Sequence, residues 1–104
     1  MSVMQEIETL VKENPILLFM KGTASFPQCG FSGRAVQILK TCGVDPKAIK
    51  TVNVLDEPEI REAIKTYSNW PTIPQFYYKG EFIGGSDIML EMYESGEMQK
   101  LLAA

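Results

Sequence analysis

Histidine is absent from the 104-residue chain, and cysteine occurs only twice, at Cys29 and Cys42. Without histidine there is no Cys–His or Ser–His catalytic pair, and no tetrahedral zinc site of Cys and His within one chain. Two cysteines at this length do not make a secreted disulfide framework, which favours a reducing compartment. Basic charge is also scarce: 10 Lys and Arg against 13 Asp and Glu give a formal net charge of −3 and a pI near 4.9. That balance argues against a broad basic surface for nucleic acid. Long apolar runs are missing too. The longest, "PILLFM" (15–20), is far too short to span a bilayer, so no membrane segment is expected. The leading "MSVMQEIETLVKEN" carries acids and no basic cluster, and reads as neither signal nor transit peptide. A cytoplasmic, bacterial location is expected. A mature organellar (mitochondrial) form with its leader removed would look the same.

The chain is long enough for one packed core, and a single domain over residues 1–104 is expected. Ser2 with Gln5 suits a capping box, and Val3, Ile7, Leu10 and Val11 recur at helical spacing until Asn14-Pro15. "ILLFM" (16–20), a short continuous apolar run, reads as a buried strand. "KGTASFPQ" is a loop, and a helix runs from Gly30 to about Cys42, with Gly43 as its stop. "TVNVL" (51–55) is a second strand. Asp56 and Glu59 suggest another capping box, opening a helix with Ile60, Ala63, Ile64 and Tyr67 on one face. "NWPTIPQ" (69–75) is a rigid loop, "FYY" and "EFIG" flank a Lys79-Gly80 hairpin turn, and two helices separated by Gly96 close the chain. The order is α-β-α-β-α-β-β-α-α. A right-handed βαβ unit followed by a hairpin gives a four-stranded mixed sheet with helices on both faces, an α/β fold.

Cys29 falls at the start of the second helix, in "FPQCGFSGRA" (26–35). The unpaired amides and the dipole of a helix N-terminus favour a thiolate there. Pro27 and Gly30 mark a surface loop, which weighs against a buried structural cysteine. A redox pair of Cys-x-x-Cys type would need a second cysteine at position 32, where Ser32 stands. Ser32 can donate a hydrogen bond to a thiolate but cannot close a disulfide. Cys42 lies 13 residues along the same helix, roughly 20 Å away, whereas a disulfide needs Cα atoms within about 7 Å. Cys42 shares a stripe with Ala35, Ile38 and Leu39 and is expected in the core. One active thiol then has two uses. It exchanges with an external thiol through a mixed disulfide, or it ligates a soft metal or an iron–sulfur cluster. A [2Fe–2S] cluster wants four thiolates, of which two chains supply two, so the others must come from outside, a small thiol being the obvious source.

"KGT", "PQCGFS", "WPTIPQ" and "GGSD" occur in the order and spacing of the monothiol glutaredoxins, the Cys-Gly-Phe-Ser class, and the chain resembles that family over essentially its whole length. The resemblance implies a thioredoxin-like (glutaredoxin) fold with a cis peptide at Pro74. It implies a [2Fe–2S] cluster bridged between two subunits, with Cys29 from each chain and two glutathiones. Carried onto this sequence, Lys21 of "KGT" is a charge partner for the glycyl carboxylate and a stabiliser of the thiolate, although on its own it reads as a solvated strand-end lysine. Arg61 is a second carboxylate contact, against the alternative of a surface pair with Glu57 or Glu62. Thr72, Ile73 and Pro74 offer extended backbone to the peptide-like middle of glutathione, as in strand addition. Ser86 and Asp87 open a helix whose free amides suit the γ-glutamyl carboxylate, with Asp87 for the ammonium, or for a plain N-cap. Some relatives carry cysteine at position 86, and Ser86 argues against an intramolecular disulfide route here. Phe31 either packs on the neighbouring loop or, by the resemblance, lies near the cluster edge. Trp70 reads as packing.

Three functions fit. One is a carrier that passes a [2Fe–2S] cluster to apo iron–sulfur proteins, a homodimer when loaded, acting in cluster assembly and iron and redox homeostasis. The second is a glutathione-dependent oxidoreductase acting through Cys29, for which the resemblance implies weak activity at most. The third is an iron-status module working through a partner such as a BolA-like protein.

Overall fold

The computed structural model describes residues 1–103, and its elements follow the expected order. Helix α1 (Val3–Glu13) starts on the Ser2–Gln5 capping box, with Gln5 N–H donating to Ser2 Oγ at 3.2 Å and Ser2 N–H to Gln5 Oε1 at 2.8 Å. Strand β1 is Ile16–Met20, and helix α2 is Gly30–Thr41 with Cys42 as its C-cap. A single 3-10 turn at Pro46–Ala48, capped by the Asp45 carboxylate, was not legible in the sequence. Strand β2 is Lys50–Asn53, two residues shorter at its end than expected, and α3 is Pro58–Ser68. The expected Asp56–Glu59 capping box does not form. Pro58 fits the first helical position, so Glu57 becomes the N-cap, and the Asp56 carboxylate instead accepts from Asn53 Nδ2 at 3.2 Å. Strands β3 (Gln75–Tyr78) and β4 (Glu81–Gly84) meet at Lys79-Gly80, both at positive φ (48° and 86°), the geometry that matches hairpin twist. Helices α4 (Ser86–Ser95) and α5 (Glu97–Ala103) end the fold.

The sheet order is β2-β1-β3-β4. β1 pairs in parallel with β2 and antiparallel with β3, and β3 pairs antiparallel with β4. Because successive side chains point to opposite faces, "ILLFM" feeds two cores. Leu17 and Phe19 pack with Ile7 and Val11 of α1 and Ile60 and Ile64 of α3. Leu18 and Met20 pack with Ala35 and Leu39 of α2, Met89 of α4 and Met98 of α5. All four strand residues are fully buried, so the run has no polar alternation. Phe19 and Tyr77 meet edge-on at 5.7 Å between ring centroids on the α1–α3 side. Cys42 departs from expectation: as a helix C-cap it is half-buried and packs against the core from its edge.

The loop from β1 to α2 is folded back on itself. Gln28 N–H donates to Lys21 O at 2.9 Å, Gly22 pairs with Pro27, and Thr23 and Phe26 exchange backbone bonds. Gly22 sits at φ +89°, where a Cβ would lie 2.5 Å from Phe26 O and 2.6 Å from Gln28 N. Both neighbours are backbone and cannot give way cheaply. Gly22→Ala is therefore expected to cost about 1–3 kcal/mol, read by urea denaturation. An unchanged midpoint would show that the loop accommodates the methyl group.

Candidate active site

Cys29 is the N-cap residue of α2, in extended conformation (φ −157°, ψ 137°) and half-buried. No side-chain cap bond closes on the neutral thiol. Sulfur accepts weakly as a thiol and strongly as a thiolate, so the helix-start amides act on the charged form. The Ser32 amide is the main influence holding the Cys29 pKa below the ordinary cysteine value. Burial opposes it, while the Phe31 amide, the Lys21 ammonium and the Ser32 hydroxyl add to the lowering. Ser32 is itself fully buried, and its Oγ accepts from Lys21 N–H at 3.0 Å. The hydroxyl thus ties the end of β1 to the first turn of α2 and keeps its own proton for the sulfur. Asn53 fastens the same corner, its Oδ1 accepting from Gly22 N–H at 2.9 Å and Leu55 N–H at 3.0 Å.

Cys42 shows the opposite perturbation: desolvation alone raises its pKa. The two thiols should separate under alkylation, since the thiolate is the nucleophile. Peptide mapping after limited iodoacetamide treatment at neutral pH is expected to find Cys29 labelled first. Equal labelling of both would remove the case for an activated thiol.

Cys29 opens into a cleft of about 400 Å³ lined by Lys21, Phe31, Arg61, Thr72, Ile73, Pro74, Ser86 and Asp87, with Lys65, Trp70, Pro71, Gly85 and Ile88. Every residue singled out from the sequence as a glutathione contact is therefore on one wall or another of the same space. The Ile73–Pro74 peptide is cis, as expected. Arg61 forms no ion pair among the described residues, and its suggested partner Glu62 pairs instead with Lys65 at 3.2 Å. Asp87 is not the N-cap of α4. That position is Gly85, which leaves the Asp87 carboxylate in the first turn and largely exposed. Trp70 does both things at once: its ring packs on Phe82 at 5.8 Å and also lines the cleft. Gly85 permits this approach, since a Cβ there would sit 3.2 Å from Pro74 O and 3.3 Å from Trp70 Nε1.

Three contributors were missed in the sequence. Lys65 follows Arg61 by one helical turn, a spacing that could have flagged it. Gln75, fully buried, donates through Nε2 to Trp70 O at 3.1 Å and Thr72 O at 3.3 Å, while Tyr77 Oη donates to its Oε1 at 3.3 Å. It staples the loop that forms one cleft wall. Arg34 donates from Nε to Ser86 Oγ at 2.7 Å and from Nη2 to Asp87 Oδ1 at 2.5 Å, with its guanidinium carbon 5.7 Å from the Phe31 ring centroid. No local pattern announces that contact.

A β2-β1-β3-β4 sheet, a cysteine on the helix start after β1 and a cis-proline in the same cleft define a thioredoxin-like protein with a single active-site thiol. The glutaredoxin family profile matches residues 16–83. The chain is 55% identical to the mitochondrial monothiol glutaredoxin-5 of Schizosaccharomyces pombe, over 94% of its own length and 67% of that protein's. The solution structure of reduced poplar apo GrxS14 superposes with a TM-score of 0.81 at 43% identity, covering 99% of this chain and 95% of that one. A buckwheat glutaredoxin–glutathione complex shares the fold, with a TM-score of 0.83 at 24% identity over 97% and 87% of the two chains. The chain belongs to the glutaredoxin family, on its monothiol branch. No helix among the described residues is long and apolar enough to cross a membrane.

Proposed function

We propose that the protein carries a [2Fe–2S] cluster, held between two copies of the chain by Cys29 of each and by two glutathiones, and hands it to apo iron–sulfur proteins. The observation that carries this reading is a lone activated thiol at the mouth of a cationic cleft, with the second cysteine of the chain at the far end of the helix. The donor set fits the cargo only through recruitment. Each chain contributes one accessible thiolate, and no group of three or more potential metal ligands occurs among the described residues. Glutathione suits the cleft by charge. Its two carboxylates and one ammonium meet three lining cations, Lys21, Arg61 and Lys65, and one lining acid, Asp87. In this reading Thr72 and Ile73 take its peptide backbone beside Pro74, and Ser86 with Asp87 takes the γ-glutamyl end. A BolA-like protein is a candidate partner for the loaded form, and the bacterial cytoplasm is the proposed location. Anaerobic reconstitution with iron, sulfide and glutathione is expected to give a coloured dimer containing acid-labile sulfide. A colourless monomer under those conditions would overturn the carrier reading.

The lowered Cys29 pKa favours a second reading, a glutathione-dependent oxidoreductase. The Cys29 thiolate attacks a glutathionylated protein at the glutathione sulfur. A Cys29–glutathione disulfide forms and the protein thiolate leaves, taking up a proton. Free glutathione then attacks the mixed disulfide, releasing Cys29 and oxidised glutathione. Steady-state turnover of a glutathionylated peptide measures this directly. Near-zero turnover with glutathione still bound would leave the carrier role alone.

A further inference from the structure

The Asp87 carboxylate, which the proposed function assigns to the ammonium of glutathione, already has an intramolecular cation. Arg34 reaches it from α2, and the pairing is built rather than casual. One edge of the guanidinium spans Ser86 Oγ and Asp87 Oδ1, and its face lies against Phe31. Arg34 is two-thirds covered, with 34% of its side chain exposed, whereas Asp87 is 86% exposed. Arg34 does not itself line the cleft. It acts on a ligand through Asp87, so it is a positioning residue.

We propose that Arg34 sets the charge preference at the Asp87 end of the cleft. This inference rests on the glutathione reading and extends it. An arriving ammonium must share Asp87 with a fixed positive charge and is repelled by it. A carboxylate arriving at the same end gains from that charge, together with the free amides that open α4. The subsite is therefore matched to a zwitterionic end group rather than to a bare amine. Without Arg34, Asp87 would stand as an unopposed anion and favour amines.

The test uses glutathione and two truncated analogues, titrated by NMR into the intact protein. Glutaryl-cysteinylglycine lacks the ammonium, and 4-aminobutanoyl-cysteinylglycine lacks the α-carboxylate. In Arg34→Gln the ratio of the two affinities is expected to move toward the amine analogue by about fivefold, the scale of an exposed ion pair counted once for each ligand. Added salt should shrink the shift. Arg34→Lys, which keeps the charge, should restore the wild-type ratio. If Arg34→Gln does not fold, the comparison passes to Arg34→Ala. A ratio unchanged within twofold, or equal weakening of both analogues, would overturn the proposal while glutathione binding itself persists. Failure of the wild-type protein to bind glutathione would remove the underlying reading and this inference with it.

Discussion

Cys29→Ser is expected to eliminate mixed-disulfide formation with glutathione and to leave the reconstituted protein colourless. The serine hydroxyl remains protonated at neutral pH and supplies neither the nucleophile nor the soft ligand. The fold should survive, because Cys29 is a helix N-cap and serine is a favoured residue there, its oxygen accepting from the amides that now face sulfur. Mass spectrometry after incubation with oxidised glutathione should detect no glutathionyl adduct on Cys29→Ser and one on Cys42→Ser. Cys42→Ser should keep the cluster too, with a modest stability loss from placing a hydroxyl at a half-buried helix end. Loss of cluster in Cys42→Ser with the fold preserved would contradict the assignment of Cys29 as the one ligand that each chain supplies.

The same thiol ties stability to pH. The folded pKa of Cys29 is depressed, so the folded state binds the proton less tightly than the unfolded chain does. The stabilisation is therefore fully present above the unfolded thiol pKa and is lost as pH falls through the folded value. Wild type minus Cys29→Ser, followed by urea denaturation across this window, should show a difference that grows with pH. A flat difference would mean that the helix-start amides do not favour the thiolate.

What could be read from the sequence was what neighbouring residues decide. "ILLFM" announced a buried strand because both of its faces are in fact covered. The Ser2–Gln5 box was legible because its two bonds close within three residues. The same pattern at Asp56 and Glu59 misled, since Pro58 displaces the cap by one residue. The active thiol was legible because its environment is its own helix start. The cleft's charge balance was not. Arg34 meets Ser86 and Asp87 across 52 and 53 residues of chain, and only the packing of α2 beside α4 brings them together. Gln75 was obscured for a related reason: a polar residue at a strand end reads as an edge, yet it is buried because the Trp70–Thr72 loop folds over it.

Ser32→Cys is the substitution that should change the chemistry most without removing it. The Ser32 hydroxyl is near enough to Cys29 to contribute to the lowering of its pKa, so a thiol at this position is expected to come within reach of the sulfur. The Cys29–glutathione disulfide would then be attacked by the new thiolate, closing an internal disulfide and releasing glutathione with its electron pair. Release of the first glutathione should become independent of free glutathione concentration, where the wild type depends on it in proportion. The change has a structural cost, because Ser32 Oγ is the acceptor for Lys21 N–H at 3.0 Å in a fully buried position. Sulfur is the weaker acceptor and the larger atom, so a loss of about 1–3 kcal/mol is expected in the reduced protein. Stopped-flow release of glutathione from the preloaded protein reads the chemical effect, and urea denaturation reads the structural one. Persistent dependence on free glutathione in the variant would mean that the hydroxyl clip to β1 holds position 32 away from the sulfur. In that case the single-thiol character of the site is enforced by the backbone as well as by the missing atom.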